Sequence, residues 1–445
     1  MGLLRRSRFD AEILRLSLPA MGALAADPLV SLVDTAFVGR LGVDALGSLA
    51  VAAAVFGVSF ALFNFLAYGT TPLVARALGR GDRAEAGRIS VAAVLVGVAL
   101  GVATAAVLML TAREVLGVMG AGDDTLEGAT TYLRIRALAL PAVMLVTAGH
   151  GVFRGFQDTR APLVVTLGLN LINLVLDPIL IFGLGAGLAG AAWATVIAQW
   201  AGAVWFVALL WRRRDTLGLV WSLPERGDLR LLLGAGRALI LRTGSLLTVL
   251  TVATAIAARI GTSSVAAHLV MFQIWLFLSL ILDALAIAGQ AMIGKTLARD
   301  VDEAAAISRR LLVLGLGVGS AIAVALLLVA PWLPGWFTDD PTVIGSLRGV
   351  YPFLVVMQPL NALVFVWDGI VIGATDFSYL AWSVSIAGAA ALGMLLVVLP
   401  MEWGLAGVWW AIVVLMLGRA ASLLWWQLRG PFSASRGPFL ASPGA

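Results

Sequence analysis

Apolar residues in this chain come in long runs separated by short polar segments. A helix that crosses a bilayer needs roughly 20 mostly apolar residues, and twelve stretches qualify. The first six are Ile13–Gly39, Ala45–Thr71, Ile89–Ala112, Thr130–Phe153, Ala161–Phe182 and Leu188–Trp211. The second six are Leu231–Ala258, Val265–Gly289, Leu311–Leu333, Gly349–Ile372, Leu380–Leu399 and Leu405–Leu428. Alternating barrel strands of about ten residues do not fit such runs. The pattern predicts an all-α polytopic membrane protein with twelve transmembrane helices.

Composition agrees. Of 445 residues, 61% are hydrophobic and 12% charged, and the mean hydropathy is +0.99. That leaves too little polar side chain to wet a soluble surface. A soluble enzyme, a disordered chain and a nucleic-acid-binding protein are therefore excluded. A net charge of +5 and a pI near 10.3 are read first as a membrane-orientation signal. With no Cys and two His, neither a thiolate nor an imidazole metal site is expected, and no cofactor is implied. No cleavable signal peptide is expected, because Asp10, Glu12, Pro19 and Asp27 interrupt the apolar run behind Arg5, Arg6 and Arg8.

Loop charge sets the orientation. With the N-terminus inside, the inner segments carry about 20 basic residues and the outer loops about four (Arg40, Arg113, Arg259 and Arg348). The inner set includes Arg5, Arg6, Arg76, Arg80, Arg83, Arg88, Arg212–Arg214, Arg309, Arg310 and Arg436. Both termini are expected to be cytoplasmic, in the plasma membrane.

The chain also repeats. Gly187–Ala194 reads against Gly404–Ala411 at an offset of 217, and Gly151–Asp158 against Gly369–Asp376 at 218. Pro141 matches Pro359, and Arg40-Leu41-Gly42 matches Arg259-Ile260-Gly261. Four anchors at nearly one offset indicate duplication. The repeat holds an even number of spans, so both halves share one in–out orientation. The expected organisation is an N-lobe over residues 1–211, a cytoplasmic linker over 212–230, a C-lobe over 231–428 and a tail over 429–445. Two such lobes with a cleft between them are the architecture of a transporter.

Five acids fall at bilayer depth: Asp27, Asp34, Asp177, Asp283 and Asp368. A charge there is costly and marks function by default. The embedded bases Arg15, Arg134, Arg136, Arg237, Arg242 and Arg419 mostly lie near predicted ends and are expected to snorkel, leaving several acids without a cationic partner. A desolvated acid of that kind suits proton or sodium coupling. Asp27 and Asp34 lie seven apart, near one helix face. Asn170, Asn173 and Asp177 share a face of the fifth span, and Pro19, Pro28 and Pro178 interrupt these two spans. The plainer reading, a hydrogen bond between neighbouring helices, stays open for each acid. For Asp27 a helix-capping role stays open too. His150 and His268 read more readily as structural than as relays. Phe63, Asn64, Met271, Gln273 and Trp275 are candidate cleft side chains.

Two motifs are set aside. Gly185–Gly190 fits a dinucleotide-binding spacing but lacks the preceding strand. Asp123-Asp124 is read as a solvated loop with no second acidic motif. A membrane transferase should carry paired Asp-rich motifs or a large catalytic loop. Neither is present, so no enzymatic activity is expected. A lipid-linked precursor flippase of similar architecture remains the alternative; the mainly acidic embedded charge favours cationic or zwitterionic cargo instead.

Several stretches resemble the multidrug and toxic compound extrusion (MATE) family. They are Asp27–Gly42, Asn170–Gly183, Val74–Asp82 and Gln290–Gly294. Gln358–Gly369 looks like the DinF-like branch. The resemblance implies a V-shaped pair of six-helix lobes and antiport of organic solutes or drugs against protons or sodium. It implies an ion-coupling cluster at Asp34, Asn173, Asp177 and Thr195, with Tyr132 lining the same cavity and a hinge at Pro19. Val30 stands where some members carry a tyrosine. It further implies substrate or proton handling at Asp283 and Asp368, and Asp27, Tyr132 and Asn361 are candidates for the same substrate or secondary proton role. The expected partners are a small organic substrate and the lipid bilayer, with no nucleic acid, and the expected state is a monomer.

Overall fold

The computed structural model describes residues 7–219 and 224–432. Arg5, Arg6 and Arg436, used in the charge count, lie outside the described residues. Among the described residues every regular element is helical. The first repeat holds α1 (Asp10–Gly39), α2 (Val43–Gly79), α3 (Arg83–Val118), α4 (Asp123–Ala137), α5 (Leu140–Gly155), α6 (Arg160–Pro178) and α7 (Gly187–Arg212). The second holds α8 (Arg226–Ile260), α9 (Thr262–Leu297), α10 (Val301–Val329), α11 (Pro341–Gly373), α12 (Phe377–Val398) and α13 (Gly404–Arg429). Among the described residues eleven helices are long and apolar enough to cross a membrane, and the bent pair α4–α5, taken as one span, brings the count to twelve. Exposed side chains such as Leu328, Val356 and Ile386 suit hydrocarbon as solvent, where apolar exposure carries no hydration cost.

Two spans differ from the sequence expectation. The fourth is two helices bent by 50°, not one rod over Thr130–Phe153. Pro141 lacks the N–H that would bond the Ala137 carbonyl, so the ladder has a weak point there. The equivalent Pro359 does not break α11. The two repeats also differ one turn upstream, where Arg136 stands in place of the fully buried Leu354. The ninth span ends at Val329 instead of Leu333, because Pro331 cannot continue the helix. Leu333–Trp336 form a 3₁₀ turn.

The duplication seen in sequence is repeated in local geometry. Asp82 caps α3 by accepting from the Glu85 N–H at 2.8 Å, and Asp300 caps α10 through Glu303 N–H at 2.9 Å. Asp158 and Asp376 cap α6 and α12 in the same way. Each second-repeat cap lies 218 positions after its counterpart. A side-chain carbon at Gly101 would lie 2.8 Å from the Leu140 carbonyl, and one at Gly319 would lie 2.7 Å from the Gln358 carbonyl. In both repeats the third span therefore needs glycine where the proline-bearing fourth span presses on it.

Contacts divide the chain into two compact units. One is Leu18–Gly236; the other joins the segment up to Ser17 to everything from Arg237 onward. The unit boundaries fall at Ser17–Leu18 within α1 and at Gly236–Arg237 within α8. The first turns of α1 and of α8 each group with the opposite repeat. In the second unit, Asp10 on α1 accepts two bonds from Arg310 on α10, at 2.6 and 2.7 Å. In the first, Arg88 on α3 pairs with Glu225 at 3.6 Å and Asp228 at 3.8 Å, at the start of α8. Asp228 follows Asp10 by 218 positions, whereas Arg310 follows Arg88 by 222, so the acid recurs at the repeat offset and its partner sits about one helical turn further on.

Candidate functional site

The first unit encloses a cavity of about 380 Å³ lined by α1, α2, α4, α5, α6 and α7. Polar groups reach it from four of them: Asp27, Ser31, Asp34 and Thr35 on α1, Tyr132 and Arg136 on α4, Asn170 and Asn173 on α6, and Thr195 and Gln199 on α7. The helical spacings explain the convergence. Asp27, Ser31 and Asp34 repeat at intervals of four and three and share a stripe, as do Asn170, Asn173 and Asp177. α1 runs unbroken through Pro19 and Pro28. α6 does not outlast Pro178: the chain continues as a π-helical turn, Ile179–Gly183, since proline supplies no amide hydrogen to the ladder.

Asn170 donates to Asp27 Oδ1 at 2.8 Å. Deeper in the wall, Asn173 stands between two acids. Its amide nitrogen lies 3.4 Å from Asp177 Oδ1 and 3.4 Å from Thr195 Oγ1. With the amide turned over, the nitrogen donates to both Asp34 oxygens at 3.3 Å. The turned-over amide satisfies both of its atoms: the nitrogen donates to Asp34 and the oxygen lies toward Asp177 and Thr195. Asp177 is fully buried behind it, and its Oδ2 has no hydrogen-bond donor. The Asp34 and Asp177 carboxyls face each other within hydrogen-bonding reach. Two facing carboxylates repel, whereas one proton between them makes a bond and removes one charge. The cluster Asp34, Asn173, Asp177 and Thr195 is therefore assembled in one place, with Tyr132 on the same cavity and Asp27 along its wall.

Arg136 was read from sequence as an end-of-span base. It instead lines this cavity, with its guanidinium carbon 4.3 Å from the centre of the Phe56 ring. Its position near a predicted span end does not bring it to the membrane surface, because the helix breaks just after Ala137. His150 is a packing residue: its Nε2 meets Thr166 Oγ1 at 3.2 Å, Arg154 approaches its Nδ1 at 3.4 Å, and its ring lies 5.4 Å from Phe206.

The second unit corrects the expectation of unpaired acids. Asp368 Oδ2 accepts from Arg419 at 2.5 Å and also from Arg242. Arg419 is 2% exposed, so it turns inward to the acid and does not snorkel. Asn361 is buried, with neither amide atom bonded to protein. Asp283 lies on α9 and does not belong to the first-unit cluster. His268 meets Thr254 Oγ1 at 3.2 Å and stacks on Phe272. Met271 and Trp275, proposed cleft residues, are buried in this aromatic packing.

Comparison with known proteins agrees with the sequence resemblance. The MatE family profile matches twice, over residues 19–179 and 240–399, one match to each repeat. The Arabidopsis thaliana protein DETOXIFICATION 44, chloroplastic, is 37% identical over 432 residues, covering 94% of this chain and 82% of that protein. The DNA damage-inducible protein F of Escherichia coli (strain K12) is 30% identical, covering 93% of this chain and 91% of that protein. The fold is shared with a MATE transporter crystallised in a straight conformation: TM-score 0.88, 23% identity, 95% of this chain and 96% of that one. The chain belongs to the MatE family of membrane transporters, the multidrug and toxic compound extrusion proteins.

Proposed function

We propose that this protein exports organic solutes in exchange for protons, with Asp34 and Asp177 as the coupling pair. The observation that carries the reading is the buried Asp177 carboxyl, whose Oδ2 lacks a donor and which neighbours the carboxyl of Asp34. A proton is the ligand that satisfies both groups. Asn173, donating to Asp34, turns its amide oxygen toward Asp177, where that oxygen can accept from a protonated carboxyl. Asp34 lies on the cavity wall and Asp177 behind it. Cargo that pairs with Asp34 therefore competes with the shared proton. Competition of that kind, joined to alternating access, gives antiport.

In this cycle, protonation of the pair neutralises the cavity and releases a cationic cargo outward. α1 yields near Pro19 as it does so. The cavity then returns to the cytoplasmic face and exchanges its proton for new cargo. Asp283, Asn361 and Asp368 are assigned a secondary substrate or proton role. The protein works as a monomer in the plasma membrane with both termini cytoplasmic.

The test is transport in proteoliposomes under an imposed proton or sodium gradient. A proton gradient is expected to drive efflux of organic cations, and Asp34→Asn is expected to reduce it to the leak of empty liposomes. Undiminished proton-driven efflux in that variant overturns the assignment. Efflux driven only by sodium overturns the choice of ion.

A further inference from the structure

The acids of the first-unit cavity have a counterpart of opposite charge. Arg136 is the basic residue of the cavity lining. A guanidinium carries five N–H donors in a fixed fork and is expensive to bury without acceptors. Arg136 lies over an aromatic face, its carbon 4.3 Å from the Phe56 ring centre, with the Tyr132 hydroxyl as a hydrogen-bond partner and Asp34 and Asp177 within electrostatic range. A cation–π contact stabilises the charge but takes up no N–H donor. Its Nη1 is buried and meets no acceptor. The position is distinctive within the molecule, because the second repeat places buried Leu354 there and its helix runs on without a break. Next to Arg136, the chain breaks after Ala137 and turns by 50°. An arginine with an unused donor, on the wall of a cavity whose other polar walls carry Asp27 and Asp34, makes a two-pole site.

We propose that Arg136 is a specificity-determining residue that binds a carboxylate on the cargo, while Asp27 and Asp34 take its cationic group. The preferred cargo of the first unit is then a small zwitterion. The inference rests on the reading of this cavity as the cargo site. Carboxylate on guanidinium is the strong, directional pairing, and it removes the cost of the unfilled Nη1. A cargo with a cationic group alone leaves that donor empty and adds a like charge beside Arg136.

A matched pair of probes tests it. Trigonelline carries a pyridinium and a carboxylate; 1,3-dimethylpyridinium is the same ring with a methyl in place of the carboxylate. Both are small beside about 380 Å³. Binding is measured by calorimetry on the full chain in nanodiscs. The wild-type protein is expected to bind trigonelline about tenfold more tightly, equal to about 1.4 kcal/mol. Arg136→Gln is expected to move the two affinities in opposite directions: trigonelline weakens about tenfold, and the dimethylpyridinium tightens as the like charge leaves. Arg136→Lys, which keeps the charge but loses the fork, should restore part of the preference. Opposite movements within one variant cannot come from a misfolded sample. An unchanged ratio in Arg136→Gln, or a wild-type preference for the dimethylpyridinium, overturns this inference alone. Failure of the wild type to bind either probe overturns both the inference and the cavity's assignment as the cargo site.

Discussion

At the residue scale, the two units handle buried acids in opposite ways. In the first, Asp177 is left one donor short and Asn173 is shared between two carboxyls. In the second, Asp368 is held by Arg242 and Arg419. Removing one member of a buried ion cluster leaves its partners uncompensated, at about 3–5 kcal/mol. Asp368→Asn is therefore expected to lower the thermal unfolding midpoint clearly in detergent, since both guanidinium groups stay charged. Asp177→Asn is expected to cost little stability, because an amide can donate to Asp34 in place of the shared proton. Midpoints measured side by side check the contrast, and equal losses would contradict it. The faces that carry Asp34, Asn173 and Asp177 are legible from helical spacing, whereas their grouping with Thr195 comes from the family resemblance alone. The partners of Asp368 are not legible, since nothing in sequence says which way Arg419 turns on its helix.

At the element scale, span positions followed from apolar run length, with ends mostly off by a few residues. Amphipathic first turns, such as Asp10–Glu12 and Arg226–Arg230, extend each helix beyond its apolar run. The break between α4 and α5 was missed because proline in a span does not by itself break it, as Pro359 demonstrates. The crossed ion pairs of α1 and α8 were also invisible, since they join residues 300 and 140 positions apart. The Asp10–Arg310 pair is bidentate and mostly shielded from solvent. Asp10→Arg is expected to lower the unfolding midpoint, and Asp10→Arg with Arg310→Asp to recover much of it. Failure of the double variant to recover would show that the pair does not fasten the start of α1. At the other end of the second repeat, Asp340 caps α11. The Thr342 hydroxyl and backbone amides that it accepts from hold its carboxyl below the usual range. The cap is thus intact at neutral pH and is lost only as pH falls through that lowered value. Amide exchange at Thr342 and Val343 should accelerate in strong acid and not at mildly acidic pH.

At the scale of the whole molecule, duplication organises what is seen. Caps, the acids of the crossed pairs and the glycine–proline contacts recur 218 positions apart, and the MatE profile matches once per repeat. The polar interiors have diverged on this common frame. Leu354 packs where Arg136 reaches a cavity, and His150 stands in the first repeat where Asp368 binds Arg242 and Arg419 in the second. Sequence alone placed that duplication and the acids of both halves. It did not show how each half neutralises its charge, because that depends on contacts between helices far apart in the chain.

The central claim is that cargo and proton compete for the Asp34–Asp177 pair. The most direct measurement is proton release on cargo binding, followed with a pH dye in lightly buffered detergent solution. Saturating the wild-type protein with an organic cation is expected to release about one proton per chain, and Asp34→Asn is expected to release none. Cargo binding without proton release in the wild type, or the same release from the variant, would contradict the account.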